Sequence, residues 1–330
     1  MRNLIIDSQI LTTFQECSQK YRYTFIENLK SMHVIEPLVK GDILHTALET
    51  YYKFLKDELK GDASRTIIHT LAIEKAVEDA RAKAALNGID LGVAEEVITV
   101  CEEYFHFYKD DELVPLYIEE PFIKSLYEDG DFRILYAGKI DLVATARRYQ
   151  WNPVPFDNKS SARNNTPSSR SNQFFGYTDA TNSSILVVNK IGFQKSLTPA
   201  ERFKRHTLSY PQEYREGWIL NTIRWGHKLA WAIDNGIFEE NLSSCDKFSG
   251  CTFKPICESS TPEAKEWKIQ TQYITGERWD VTRTLGFKDD VIKGIEEIIT
   301  IPTQERSGLG LLSPDDANEG DKTGEGQSSI

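Results

Sequence analysis

AGKIDLVATA (residues 137–146), a short turn, and then WNPVPFDNK (residues 151–159) decide how the rest of the chain is read. Each run is short and largely apolar, and each carries a carboxylate at or near an end: Asp141 in the first and Asp157 in the second, with Lys159 two positions further on. Alternate side chains of a strand share a face, so neighbouring strands can bring such residues to one point. Two carboxylates that converge repel each other unless a cation lies between them, and hard oxygen ligands suit Mg²⁺ or Mn²⁺. A lysine beside that cation can orient or deprotonate a water, or neutralise charge on a phosphate. Together these are the parts of metal-assisted phosphodiester hydrolysis. The same residues also read as a turn cap at Asp141 and a solvated Asp157–Lys159 pair, so the remainder of the chain has to decide.

The 330 residues, 40% hydrophobic and 27% charged, allow one large core or a core with an appendage. No apolar run reaches the roughly 18 residues of a membrane span. The start, MRNLIIDSQI, carries Asp7 and lacks the pattern of a signal peptide. The expected location is the cytoplasm. A net charge of −11 argues against broad coating of nucleic acid, but not against a local basic channel. Some of the acidity is peripheral: from Glu305 onward, Glu305, Asp315, Asp316, Glu319, Asp321 and Glu325 face only Arg306 and Lys322. By contrast, Lys190, Lys195, Arg202, Lys204, Arg205 and His206 accompany one acid, Glu201. That strip reads either as a focused phosphate-binding groove or as a solvated, lysine-rich hairpin.

Ser8 is a candidate N-cap for a helix in which Ile10, Leu11, Phe14, Cys17, Tyr21 and Phe25 fall at helical spacing. Pro37 to Gly41 breaks the pattern. A second helix then follows, with His45 beside its apolar face and Gly41 leaving room for a close approach. Two Ala- and Glu-rich helices are expected over 63–87 and 93–109, with Cys101 packed inside the second. Strands begin at Leu116, with hairpin turns at 128–131 and at Arg147-Arg148. Pro153 and Pro155 place the run ending in Asp157 at a frayed or edge position. A polar loop with Arg163 and Arg170 follows Lys159. A helix then carries Gln173 and Tyr177, four apart and hence on one face. A buried strand over 185–193 and a long helix over 211–236 complete the pattern.

Five cysteines in a chain of this kind point to metal or redox chemistry before disulfides. Cys245, Cys251 and Cys257 stand in a Cys-x5-Cys-x5-Cys array broken by Gly250 and Pro255. Three thiolates need a fourth ligand, and Cys17 and Cys101 are the candidates.

Taken together these residues resemble the PD-(D/E)XK nuclease superfamily, in its RecB-like exonuclease branch, over most of residues 8–260. A glycine-x3-histidine motif is matched by Gly41 and His45, a G-x-x-D strand motif by Gly138 and Asp141, a D-x-K motif by Asp157 and Lys159, and a Q-x3-Y helix motif by Gln173 and Tyr177. The resemblance implies an α/β restriction-endonuclease-like core, a mixed central sheet flanked by helices. It also implies an N-terminal helical insertion and a C-terminal cysteine-ligated metal subdomain. The corresponding boundaries are an N-terminal helix over 1–36, a helical region over 37–112, the nuclease core over 113–236, a cysteine region over 237–300 and a disordered acidic tail over 301–330.

By the same resemblance His45, Asp141, Asp157 and the backbone carbonyl of Asn158 hold Mg²⁺ or Mn²⁺. Lys159 positions the attacking water, and Gln173 and Tyr177 hold the strand or the shape of the site. Some RecB-like nucleases carry one cysteine before the core and three after it, holding a [4Fe-4S] cluster; CRISPR-adaptation nucleases are among them. Cys17 with Cys245, Cys251 and Cys257 is similar to that arrangement. The first gap of the trio is wider than the family's usual x2, and zinc on four thiolates is the alternative. The C-terminal segment is also similar to bacteriophage nucleases, which implies a host-cytoplasm setting. The function implied is a DNA exonuclease acting on single-stranded ends in recombination, repair or phage DNA processing. Its partners would be DNA and a recombination or single-strand-binding protein. The alternative is a noncatalytic DNA-binding or recombination scaffold that keeps the fold and a structural metal cluster.

Overall fold

The computed structural model describes residues 2–32, 36–59, 64–161, 168–247, 250–277 and 279–287. The tail over 301–330 and Arg163 lie outside those residues. The chain opens with β1 (Arg2–Ile6), α1 (Ser8–Glu16), α2 (Ser18–Tyr21), a π-helical turn at Arg22–Ile26 and β2 (Leu29–Ser31). Three long helices follow: α3 (Glu36–Glu58), α4 (Arg65–Leu86) and α5 (Leu91–Phe107). Next come β3 (Val114–Asp129), β4 (Phe132–Thr145), β5 (Val154–Ser161), α6 (Asn172–Ala180), β6 (Ile185–Gly192), α7 (Pro199–Arg202), β7 (Phe203–Ser209) and α8 (Gln212–Asn235). The last described elements are α9 (Lys254–Cys257), α10 (Pro262–Gln272), β8 (Tyr273–Thr275) and α11 (Val281–Leu285).

The first helix departs from its expected form. Asp7, not Ser8, is the N-cap, its carboxylate accepting from the Ile10 N–H at 2.7 Å. The helix then breaks at Cys17, whose backbone is extended, and restarts at Ser18. Helical periodicity continues through the break, which is why the sequence hides it. The second helix corrects the sequence reading as well. It starts at Glu36 and runs through Gly41, so Gly41 is interior and not at a helix start. Pro37 fits because a proline in the first turn lacks only an N–H that has no intrahelical partner. A Cβ on Gly41 would meet nothing within 4 Å, so the space it leaves is not used by a neighbour.

The sheet is mixed: β1 and β5 run parallel to β4 and β6 respectively, and the other pairings are antiparallel. One edge of β4 pairs along its length with β3. Its other edge is shared, by β1 as far as Ile6↔Tyr136 and by β5 from Leu142↔Phe156 onward. Residues 137–141, where the quoted stretch begins, therefore lie between two different partners. β5 is central, between β4 and β6, and not at an edge. Its prolines are tolerated because Pro153 precedes the strand and Pro155 precedes the β6 ladder, which starts at Phe156↔Val187.

Helices cover both faces. α3, α4 and α5 pack on one, over Leu142, Phe156, Val187 and Ile191. Ala72, Ala76, Ala80 and Ala84 form a buried stripe along α4, small enough for α3 to approach closely. α1, α6 and α8 cover the other face over Ile134, Tyr136, Val143 and Val188. A small separate core of Tyr23, Leu29, Phe253, Ile256 and Tyr273 joins the N-terminal segment to the C-terminal one. Beside it β2 pairs antiparallel with β8. This is an α/β fold of the restriction-endonuclease kind, a mixed central sheet flanked by helices. No helix among the described residues is long and apolar enough to cross a membrane.

α6 lies close on the sheet because Gly176 faces the Tyr136 ring, and a Cβ there would collide with it. The Tyr136 hydroxyl also donates to the Asn172 carbonyl at 2.9 Å, at the start of α6. Gly176→Ala should therefore push the helix away. The expected loss is about 2 kcal/mol of unfolding free energy, read by denaturant titration.

Candidate active site

Beyond Leu142↔Phe156, β4 and β5 cease to pair, and Asp141 and Asp157 sit just past that last rung. The opened ladder is partly closed by one bond: the Asn158 N–H donates to Asp141 Oδ2 at 2.7 Å. Asp157 is fully buried; its Oδ1 accepts from Lys159 Nζ at 2.9 Å, and its Oδ2 has no hydrogen-bond partner among the described residues. Leaving a carboxylate oxygen buried and unpartnered is costly, and burial shifts Asp157 toward its protonated form. Gly138 is required here, since a Cβ would lie 2.6 Å from the Phe122 ring.

α6 brings the rest of one side. Lys159 Nζ also donates to Gln173 Oε1 at 3.0 Å, and Gln173 Nε2 donates to the Tyr177 hydroxyl at 2.8 Å. The Tyr177 hydroxyl in turn donates to the Lys139 carbonyl and lies 3.5 Å from Asp141 Oδ1. Tyr177 thus satisfies a β4 carbonyl in the stretch between β1 and β5. Gln173 and Tyr177 are one helical turn apart and act as one polar edge.

The other side holds a residue the sequence reading missed. His45 Nδ1 lies 3.7 Å from Glu119 Oε1 and 3.9 Å from Asp141 Oδ2. One ligand atom from each of His45, Glu119 and Asp141 falls within 4.8 Å of the others. Lys139 Nζ pairs with Glu119 Oε2 at 2.6 Å. Glu119 lies across from Asp141, between the Ile118↔Leu142 and Glu120↔Ile140 pairs, with a left-handed φ of 50°. That conformation is strained for a side chain larger than glycine's, and such strain gathers at functional sites. Counting the hairpin from Asp129↔Phe132 would put Glu120 opposite Asp141. A register shift between Ser125 and Tyr127 puts Glu119 there instead. No pattern in the sequence announces that bulge.

The charges of these groups are strongly coupled. Burial and the neighbouring Asp157 push Asp141 up to about 7, and burial also raises Asp157 against the pull of Lys159. Burial alone would lower His45, but Glu119 and Asp141 outweigh it and hold the imidazole at about 9. Burial opposes the Lys159 charge too, yet Asp157 and Asp141 keep its pKa above the ordinary lysine value. Without metal, the two carboxylates therefore favour the ammonium form of Lys159. The donor set that converges, the His45 imidazole with the Glu119 and Asp141 carboxylates and without Asp157, suits a hard divalent ion.

The basic strip is only partly a surface. Arg202 is buried and paired with Glu103, Arg205 is buried and paired with Asp111, and Lys190 is buried in β6. Cys101 is fully buried in the α5 core, away from the other thiols. Cys17 instead meets the loop that leads to the trio. The Asn241 N–H donates to Cys17 Sγ at 3.4 Å, Cys245 Sγ donates to the Asn241 carbonyl at 3.8 Å, and the Cys251 N–H donates to the Cys245 carbonyl at 2.7 Å. Cys251 and Cys257 pack against the small core that contains Tyr23 and Phe253.

A sequence model of the PD-(D/E)XK nuclease superfamily matches residues 9–258. The match spans most of the chain, which belongs to that superfamily. Nucleases of this superfamily use divalent metals such as Mg²⁺ or Mn²⁺, and DNA is the substrate the family implies. No curated protein matches the sequence.

The pKa shifts fix a pH dependence. His45 moves from 6.5 to about 9 on folding, so its stabilisation is complete below 6.5 and is lost as pH rises through 9. Asp141 moves from 3.8 to about 7, so it costs stability increasingly across that interval and fully above it. Both make the metal-free protein less stable as pH rises. Mn²⁺ held by these residues would need them deprotonated and would relieve their repulsion. The rise in melting temperature on adding Mn²⁺ should therefore be larger at about pH 8.5 than at about pH 6. Differential scanning fluorimetry at the two pH values checks this.

Proposed function

We propose that this chain is a metal-dependent deoxyribonuclease of the exonuclease type, acting on single-stranded DNA ends in recombination, repair or phage DNA processing. The observation that carries the hydrolytic reading is that Asp141 and Asp157 sit together just past the last β4–β5 rung, with Lys159 bonded to Asp157 Oδ1. His45, Asp141, Asp157 and the Asn158 carbonyl would hold the ion, with Glu119 as a further acidic ligand. Activation of a water and neutralisation of the charge developing on the phosphate are the chemistry that Mg²⁺ or Mn²⁺ supplies there. Lys159, held by Asp157 and Gln173, orients the water and faces the scissile phosphate with a fixed positive charge. Tyr177 and Gln173 keep Lys159 and the β4 backbone in register. The exonuclease and single-strand assignments rest on the resemblance to RecB-like nucleases.

Asp157→Ala should lower cleavage of labelled single-stranded DNA by at least about 100-fold in Mn²⁺ while the far-ultraviolet spectrum is unchanged. Retained cleavage sinks the site. Binding without cleavage by the intact chain, independent of Mn²⁺, would favour a DNA-binding scaffold instead.

We also propose that Cys17, Cys245, Cys251 and Cys257 hold a [4Fe-4S] cluster. Cys245 lies near enough to Cys17 and Cys251, and Cys257 to Cys251, for their charges to interact. The choice of a cluster over zinc rests on the resemblance to RecB-like nucleases. Anaerobically purified protein should be brown, with iron and sulfide in equal amounts, and Cys17→Ser should lose both colour and thermal stability. Stoichiometric zinc in a colourless protein overturns this assignment and leaves the nuclease reading standing.

A further inference from the structure

The two faces of β5 do different things. Asp157 and Lys159 point toward the α6 side, so Asn158 between them points back toward α3 and α5. There it is not solvated. Asn158 is buried and its Oδ1 accepts from Asn189 Nδ2 at 2.8 Å. Asn189 is its register partner on β6 and is 1% exposed. Asn189 Nδ2 also donates to the Tyr104 hydroxyl at 2.9 Å, and that hydroxyl shares a hydrogen bond with Tyr52 at 2.8 Å. Arg205, the register partner of Asn189 on β7, donates to the Tyr104 hydroxyl at 3.1 Å through Nη2 and pairs with Asp111 through Nη1. The Arg205 guanidinium lies 3.9 Å from the Tyr108 ring centroid. A polar row thus crosses β5, β6 and β7 beneath the helices, on a face that is otherwise apolar.

A buried polar row costs desolvation, and an apolar layer would pack as well. We infer that Asn189, backed by Tyr104 and Arg205, is a positioning residue that fixes the peptide units around Asn158 and thereby the metal-binding geometry of Asp141 and Asp157. The link to the front face is direct, since the backbone N–H of the same Asn158 donates to Asp141 Oδ2. Holding the side chain from behind sets where that N–H and the Asn158 carbonyl point. The inference rests on the nuclease reading for what the site does, but its main readout, Mn²⁺ affinity, needs no DNA.

The experiment measures Mn²⁺ affinity by isothermal titration calorimetry, and kcat and KM on single-stranded DNA. It uses the full chain, Asn189→Leu, Asn158→Ala and the double variant. Asn189→Leu should weaken Mn²⁺ binding and lower kcat by about tenfold or more, the usual loss for a group behind a metal ligand, with KM for DNA within about twofold. In the Asn158→Ala background, Asn189→Leu should add less than about twofold, because both act through one contact. Tyr104→Phe keeps the ring and loses only the hydroxyl; it should lower Mn²⁺ affinity in the same direction and covers the case in which Asn189→Leu does not fold. Wild-type Mn²⁺ affinity in the folded Asn189 or Tyr104 variant overturns the inference, as do fully additive losses. A wild-type chain that binds Mn²⁺ without cutting DNA sinks the nuclease reading alone; one that binds no Mn²⁺ sinks both.

Discussion

The structure depends on a change of partner along one strand edge. β4 hands this edge from β1 to β5, and between the two lie residues 137–141, whose backbone groups on this edge meet no strand ladder, while β3 pairs the other edge. A buried backbone carbonyl must find a donor. Here α6 supplies one, the Tyr177 hydroxyl to the Lys139 carbonyl, and β5 supplies its Asn158 N–H to the Asp141 carboxylate. Those two bonds satisfy groups along the gap, beside which Asp141 and Asp157 sit.

Everything that shapes the site acts by holding this gap at one width. Gly138 and Gly176 let Phe122 and Tyr136 lie flat against strand and helix, so α6 comes near enough to reach the strand. β3 bulges and twists to set Glu119, in a strained backbone, across from Asp141. α3 brings His45 from above. Charge follows geometry: two raised carboxylates, a raised imidazole and a lysine held as ammonium balance only marginally without metal. The segment that carries Cys17 is built differently. It ties the break at Cys17 to the loop at 239–245 and so joins the two ends of a core whose sheet already includes β1.

Much of this was readable in the sequence because chemistry and order survive without coordinates. Gly138, Asp141, Asp157, Lys159, Gln173 and Tyr177 stand close in the chain, on elements whose type is set by local periodicity, so the strand–strand–helix unit they form could be read directly. Legibility failed where a long-range fact was needed. The helix break at Cys17 has no local signal, since the apolar spacing continues through it. Pro153 and Pro155 argued for an edge, yet the strand is central: Pro153 precedes it, and Pro155 pairs with Val143 of β4 but lies before the β6 ladder begins. Arg202 and Arg205 looked like a surface strip and are buried against Glu103 and Asp111, about a hundred positions away.

The sequence by itself determined which groups could do chemistry: two acids and a lysine on paired strands, a glutamine–tyrosine pair one turn apart, a histidine upstream and cysteines flanking the whole. Local periodicity and side-chain chemistry suffice for that. Only the tertiary structure decided that Glu119 and not Glu120 faces Asp141, and that Asn158 is gripped from behind through Asn189. It also decided that β4 and β5 part where the acids lie. Each depends on register between segments distant in the chain. Register is set by bulges and by which strand occupies which edge, and a period-two pattern is blind to a shift of one residue until the fold fixes it.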